Sequence, residues 1–154
     1  MADYSCIYTL GAITFNNGTF GHGSTDDLYW IDTIHGLDGP TLRVPIDDVP
    51  FGHGGIVHRS WRGPRHPVFE GRLIVQSVGL GECQERLNEM EAALIAALDA
   101  ILAPTTAALQ WTPTGGSPKS LSVSYERTVE FQPADGYRTR NFDFGLVSEA
   151  ANPS

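Results

Sequence analysis

The sequence has few cysteines, no long apolar run and little basic charge. Its two cysteines, Cys6 and Cys83, lie far apart and form no CxxC motif, so we expect reduced, packed thiols and no disulfide. No apolar segment approaches the roughly 18 residues of a membrane span. Residues 1–5 lack the basic and apolar regions of a signal peptide. These absences predict a protein that is made and kept in a cytoplasm and does not enter a membrane.

The shortage of basic residues makes the chain acidic. Ten Lys and Arg stand against 18 Asp and Glu, which gives a formal net charge of −8 and a pI near 4.9. A chain without a basic patch cannot displace counterions from phosphates, so specific nucleic-acid binding is not expected.

Turn-forming residues are plentiful. Seventeen Gly and ten Pro among 154 residues favour many strands joined by loops over a helical bundle. A chain of this length favours one domain and is long enough to bury a core. We predict a single domain over residues 1–149 and a loose tail over residues 150–154.

One α-helix is predicted for residues 82–102. Glycines precede this segment and Pro104 follows it, as is typical of helix boundaries. Apolar residues recur within it at steps of three and four, which is the pattern of a helix with one buried face. These residues are Leu87, Met90, Leu94, Leu98 and Ile101.

The clearest strands are predicted at 121–131 and 140–147, where apolar and polar residues alternate. Pro133 and Gly136 between them are turn residues, so residues 121–147 read as an antiparallel hairpin. Other predicted strands are 4–10, 13–15, 28–34, 41–45, 55–61, 68–77 and 107–111, and loops concentrate in 16–66. The class is therefore α+β with a dominant sheet.

The histidines and glycine-rich segments do not form a known catalytic or metal-binding motif. His53, His58 and His66 fall near Asp47 and Asp48, but their spacing matches no zinc pattern. We therefore predict no metal site.

A hydrolytic set drawn from His22, Asp26 and Asp27 lacks a GxSxG motif. The segment 52–55 lacks the Lys and Ser or Thr of a phosphate loop. We therefore predict no cofactor and no enzymatic activity.

The order of the segments is more informative than any single motif. An N-terminal hairpin is followed by the sequence IDTIHGLDGP and the strand TLRV, then by HPVFEGRLIV, the amphipathic helix ending in LAP, and a long hairpin containing YER. These segments span 31–44, 66–75, 82–104 and 125–127. Taken together, residues 4–149 resemble the N-terminal domain of siphophage distal tail proteins and related minor tail proteins.

This resemblance implies a tail-tube-like fold, a β-sandwich of mainly antiparallel strands flanked by one α-helix and assembled into six-fold rings. It also implies a structural, non-enzymatic virion protein. The expected ring is a hexamer at the distal end of the tail, where it joins the tail tube protein to tail-tip hub and tail-associated proteins. The tape measure protein is a further candidate partner, and DNA only passes through. Relatives often carry a second, carbohydrate-binding-like domain that this sequence does not reach, so direct receptor binding is not expected.

Two sets of residues are predicted to serve such a ring. The loop from Asp47 to Arg65 is rich in Gly and Pro and contains aromatic residues, which favours an arm ordered by a neighbouring copy. The predicted interface residues are Asp47, Asp48, Phe51, His53, Trp61 and Arg62. Carboxylates on polar strand faces are predicted to line the lumen, where an acidic wall lets DNA slide without binding. These are Glu126, Glu130 and Asp143.

Three alternatives remain open from the sequence. The first is a tail tube or tail terminator protein of the same fold. The second is a carbohydrate-binding β-sandwich that uses Trp30 or Trp61 as a sugar platform. The third is an enzyme. Filament formation, glycan binding and turnover, respectively, would distinguish them from a distal ring.

Overall fold

The computed structural model describes residues 6–19, 24–37, 63–134 and 136–149, and the backbone alone of 42–43, 46–48, 55–57 and 61–62. The strands are β1 Tyr8–Leu10, β2 Ile13–Phe15, β3 Leu28–His35, β4 Leu42–Arg43, β5 Ile46–Asp48, β6 Gly55–Val57, β7 Trp61–Arg62, β8 Val68–Ile74, β9 Ala107–Trp111, β10 Lys119–Pro133 and β11 Thr139–Val147. One 3-10 turn, Leu80–Glu82, leads into the helix α1, Cys83–Asp99. The predicted tail 150–154 lies outside the described residues.

Seven of the strands form one sheet in the order β2-β1-β9-β10-β11-β8-β3, and each neighbouring pair is antiparallel. The long strand β10 belongs to both halves of this sheet: its first residues pair with β9 and its later residues pair with β11. Its register with β11 shifts between Tyr125 and Glu130. Such irregularities bend a strand, and here the bend lets the sheet fold over on itself.

The two halves of the folded sheet face each other across an aromatic core. The rings of Tyr8 and Phe69, from opposite halves, are 6.5 Å apart, and those of Phe15 and Phe144 are 6.2 Å apart. The residues that form this core are distributed along the chain from Cys6 to Leu146. The predicted β-sandwich with one flanking helix is therefore confirmed. Cys6 and Cys83 are both buried and not bonded to each other.

Asn16 joins the two edge strands of the sheet. Its backbone N–H donates to the carbonyl of Tyr29 at 2.9 Å, and its side-chain oxygen accepts from the N–H of Ile31 at 2.8 Å. The residue is buried at a φ of 61°, a left-handed conformation that Asn tolerates better than most residues. Asn16 thus provides hydrogen bonds that link the edges of β2 and β3.

The helix α1 packs its predicted stripe into this core. All five stripe residues, from Leu87 to Ile101, are buried. The helix ends at Asp99, three residues earlier than predicted, because the chain turns to pair with β10. The carbonyl of Ile101 accepts a hydrogen bond from the N–H of Tyr125 at 2.8 Å, and Leu102 forms a parallel bridge with Tyr125.

The remaining four strands form two short two-stranded sheets in the segment between β3 and β8, and we call this segment (residues 42–62) the arm. Strand β4 pairs with β7, and β5 pairs with β6 in nested antiparallel order. The sequence predicted strands at 41–45 and 55–61 but assigned residues 46–48 to a loop. Among the described pairings, the strands of the arm pair only with each other.

Asp27 ties the start of α1 to the ends of β3 and β8. Its carboxylate accepts hydrogen bonds from the Ser77 hydroxyl at 2.7 Å, the backbone N–H groups of Gln76 and Ser77, and the Arg86 guanidinium. Burial by itself raises the pKa of Asp27, but the hydrogen bonds from Ser77, Arg86 and Gln76 outweigh burial and hold the pKa below its ordinary value of 3.8.

We expect Asp27→Asn to lower the free energy of unfolding by about 1 kcal/mol at neutral pH, because charge-assisted hydrogen bonds are lost. The lowered folded-state pKa means that this stabilisation is complete above the unfolded-state pKa and is lost as pH falls through the folded-state pKa. Urea unfolding of both proteins at pH 7 and at about pH 3 should show the difference shrinking in acid. Asp99→Asn, at an exposed position, is the control, and a difference that stays constant with pH would contradict the assignment.

Candidate functional site

A row of carboxylates crosses the outer face of the half-sheet formed by β3, β8, β11 and β10. Glu70 lies directly opposite Asp143, which lies directly opposite Glu130. Directly opposed residues share one face of a sheet. Asp32 joins them from the bulge in β3, between Ile31 and Thr33. We call Asp32, Glu70, Glu130 and Asp143 the acidic row.

The acidic row lines an open groove of about 290 Å³, together with Gly71, Gln132, Asn141 and Phe142. Directly opposed like charges repel each other, so the arrangement costs stability unless cations compensate it. Two of the four carboxylates have such partners: Asp32 pairs with Arg72 at 3.0 Å, and Asp143 pairs with Arg127 at 2.9 Å. Glu70 lies 3.6 Å from Nε2 of His35, which is a cation only when it is protonated.

Glu130 is the uncompensated member of the row, since it has no ion pair within the described part of the chain. All the cations that pair with the row are themselves on exposed or half-exposed side chains. Ion pairs of this kind stabilise a fold little. Two arginines stand against four carboxylates, which leaves the row with a net negative charge.

The structure brings together two of the three residues predicted to line a lumen. Glu130 and Asp143 are cross-strand neighbours. Glu126 lies at the irregular part of β10, and its carboxylate is 2.8 Å from Nδ1 of His66. Glu126 does not line the groove.

Sequence reasoning missed Asp32 and Glu70 as members of the row. The signal for Glu70 was present, because it is a polar residue between Phe69 and Gly71 in an alternating strand.

The predicted interface residues belong to the arm. The backbone of Asp47 pairs with Ile56 in β5–β6, and that of Trp61 pairs with Arg43 in β4–β7. Asp48 and Arg62 occupy the adjacent positions of these strands. Phe51 and His53 lie outside the described residues.

Arg65, the last residue of the predicted interface loop, is part of the domain itself. It is only 3% exposed, and its backbone exchanges two hydrogen bonds with Ser148 at 2.8 and 2.9 Å. Its guanidinium donates to the carbonyl of Leu37. The arm therefore ends before Arg65, where the chain is fastened to the end of β11.

The other candidate residues form no catalytic constellation within the described residues. Asp27 holds the helix start, and Asp26 accepts a hydrogen bond from the backbone N–H of Thr19 at 2.6 Å. The described residues hold no cluster of three His, Cys, Asp or Glu side chains suited to a metal ion. His22, His53 and His58 lie outside them.

Trp30, one of the two candidate sugar platforms, is half-buried on the outer face opposite Arg72. The side chain of Trp61 lies outside the described residues. No helix of the described chain has the length and apolar character needed to span a membrane.

Comparison with known proteins gave a structural match. No protein-family model matches the sequence, and no curated protein matches it. Among solved structures, the chain is similar to the Dit protein of phage SPP1, with a TM-score of 0.60 at 8% sequence identity. The matched region covers 95% of this chain and 50% of the Dit chain, so this chain spans about half the length of that protein.

Dit of phage SPP1 is described as a paradigm of the hub adsorption apparatus in phages that infect Gram-positive bacteria. At 8% identity the similarity establishes a shared fold. The chain thus has an α+β fold of mostly antiparallel strands with one helix, like that of a phage distal tail protein.

Proposed function

We propose that this chain is a non-enzymatic structural protein of the virion that forms a ring at the distal end of a siphophage tail. The ring, a hexamer, joins the tail tube protein to tail-tip hub and tail-associated proteins and lets DNA pass through its centre. The protein is made in the host cytoplasm and contacts DNA only in passage. The observation that carries this proposal is the fold shared with Dit over 95% of the chain.

The pairing of the arm is consistent with assembly into a ring. Its strands pair with each other and with no strand of the seven-stranded sheet among the described pairings. A two-stranded hairpin is marginally stable in water. Contact with a neighbouring copy would stabilise it, and Asp47, Asp48, Trp61 and Arg62 lie on its strands.

The charge of the acidic row is consistent with a channel through which DNA passes. Repeated around a ring, the row from Asp32 to Glu130 would form a band of negative charge on strands that share one face. A wall of net negative charge repels phosphates, so the passing genome is not retained. Glu126 also remains a predicted lumen residue, because it lies on β10, which is one strand of this half-sheet.

Charge reversal of the row should slow genome ejection. We expect phage carrying Glu70→Lys and Glu130→Lys to assemble particles but to eject DNA several-fold more slowly, because new cations bind phosphates. Ejection kinetics at two salt concentrations measure this effect, which should weaken in high salt. Glu85→Lys on the exposed start of α1 is the matched control. Unchanged kinetics in the double variant would argue against a lumen at this face.

The position of the protein in the particle tests the function as a whole. Negative-stain imaging of particles labelled on this chain should show one ring at the tail tip. Label along the whole tube would indicate a tail tube protein, and label at the head-proximal end would indicate a terminator. Absence of the protein from purified particles would refute a virion role.

A further inference from the structure

The outward surface of α1 changes character along its length. The exposed residues of its first half are polar or charged, among them Gln84, Glu85 and Glu89. From Ala92 onward the exposed positions are apolar except for one. The exposed residues at steps of three and four are Ala92, Ile95, Ala96 and Asp99, which we call the outer stripe.

The outer stripe exposes large as well as small apolar side chains. Ile95 is 41% exposed, and Leu102 just beyond the helix is 50% exposed. A surface depleted in charge that keeps large apolar side chains in water is typical of a protein interface. Asp99 is the single charge on the stripe, and it has no ion pair within the described residues.

A second uncharged surface lies on the outer face of the other half-sheet. One row of directly opposed residues crosses its four strands: Thr14, Thr9, Gln110 and Ser120. The next row contains Ala108 and Ser122. On a chain of net charge −8, a four-strand face without a charged residue is an exception. We call these six residues the neutral face.

An open groove of about 550 Å³ runs along the end of the neutral face. Ile7, which is 48% exposed, and Lys119 line it together with Thr9, Gln110 and Ser120. Lys119 is the single charge of this groove, and it has no ion pair within the described residues. The groove therefore matches the outer stripe in three respects: exposed apolar side chains, small neighbours and one charge of opposite sign.

The two surfaces are both exposed within one copy. The buried side of α1 and the buried sides of β1 and β9 belong to the same core, in which Leu94 and Leu109 are members. The outer stripe and the neutral face lie on the opposite, exposed sides of these elements. Complementary surfaces that do not cover each other within a copy can meet head-to-tail between copies, which is the contact that closes a ring.

We infer that the outer stripe of one copy packs into the groove of the neutral face on the next copy, with Asp99 facing Lys119. This inference rests on the proposed function, since it names the surfaces by which copies of the ring associate. It adds to the arm a helix-on-sheet contact whose single ion pair fixes the alignment of neighbouring copies.

A charge exchange tests this contact. Asp99→Lys and Lys119→Asp should each raise the dissociation constant of the assembled ring about tenfold or more, because like charges then face each other. The double variant should return to within about threefold of the unaltered chain. Sedimentation velocity over a concentration series gives these constants, and Glu85→Lys on the charged half of α1 should leave them unchanged.

A cross-linking measurement tests the same contact in a chain whose net charge is unchanged, because one acidic and one basic residue are replaced together. A chain carrying both Asp99→Cys and Lys119→Cys should give, on mild oxidation, a ladder of linked chains up to the ring size. Each variant with only one of these added cysteines should remain unlinked at the same protein concentration. Circular dichroism establishes that each variant is folded.

The results of these experiments distinguish a failure of the inferred contact from a failure of the proposed function. If rings form while the single charge variants assemble like the unaltered chain and no ladder appears, the inference is overturned and the ring stands. If the unaltered chain never assembles and the chain with both added cysteines gives no ladder, the inference is overturned, and the labelled particle images decide the function independently.

Discussion

Alanine at Gly71 will strongly destabilise the fold. A Cβ atom there would lie 2.0 Å from the backbone oxygen of Trp30 and 2.9 Å from Cζ of Phe142. The first contact is with backbone, so β3 has to move away from β8 to relieve it. We expect a loss of about 3 kcal/mol or more, at the upper end for an overpacked site.

The matched control is Gly79→Ala. A Cβ at Gly79 meets no atom within 4 Å, and its φ of −68° suits any residue. This change should leave stability unchanged or raise it by up to about 1 kcal/mol, because alanine restricts the unfolded chain. Urea unfolding midpoints compare the three proteins. Equal midpoints for Gly71→Ala and the control would mean that β3 and β8 are not as close as described.

The position of Gly71 also bears on the acidic row. Gly71 lines the same groove as Asp32 and Glu70, and it lies opposite Ile31 beside the bulge in β3. The backbone approach that glycine permits therefore brings Asp32 towards the carboxylates of β8 and β11. A residue larger than glycine would separate Asp32 from the row.

Shortening the arm by its strands β5 and β6 will abolish ring assembly while leaving the domain folded. Replacing residues 46–57 with an Asn-Gly turn retains the pairing of β4 with β7 and every pairing of the seven-stranded sheet. Because the deleted strands contribute no hydrogen bond to that sheet among the described pairings, the melting temperature should change by less than about 4 °C, which corresponds to roughly 1 kcal/mol.

Mass photometry should then show only single copies of the shortened chain at concentrations where the intact chain forms rings. The control is an insertion of two residues after Gly136, in the exposed turn between β10 and β11, where assembly should persist. Rings formed by the shortened chain would remove residues 46–57 from the interface, and with them the predicted contacts of Asp47 and Asp48.

Much of the fold was predictable because its signals are local. The steps of three and four from Leu87 to Leu98 determine one helical face, and the alternation from Leu121 to Tyr125 determines one strand face. The stop signals were less reliable. The helix was predicted to reach residue 102, but a hydrogen bond from Tyr125 to Ile101 ends it earlier, since pairing with a distant strand competes with the last helical turn.

The candidate site was predictable only in part. Glu130 and Asp143 were identified from their polar strand faces, and the structure makes them neighbours. Glu126 was identified by the same alternation; it lies at the irregular part of β10, where its carboxylate is 2.8 Å from Nδ1 of His66. A bulge adds a residue without changing the sequence pattern, so alternation alone cannot locate it.

The sequence by itself determined the apolar face of the helix, the apolar face of the strand at 121–131, the C-terminal hairpin and the excess of negative charge. Only the tertiary structure decided that Glu70, Asp143 and Glu130 form one row, that Asn16 joins the sheet edges, and that Arg65 is buried. The reason is physical: burial patterns follow from the periodicity of neighbouring residues, whereas strand order and register depend on contacts between residues distant in sequence.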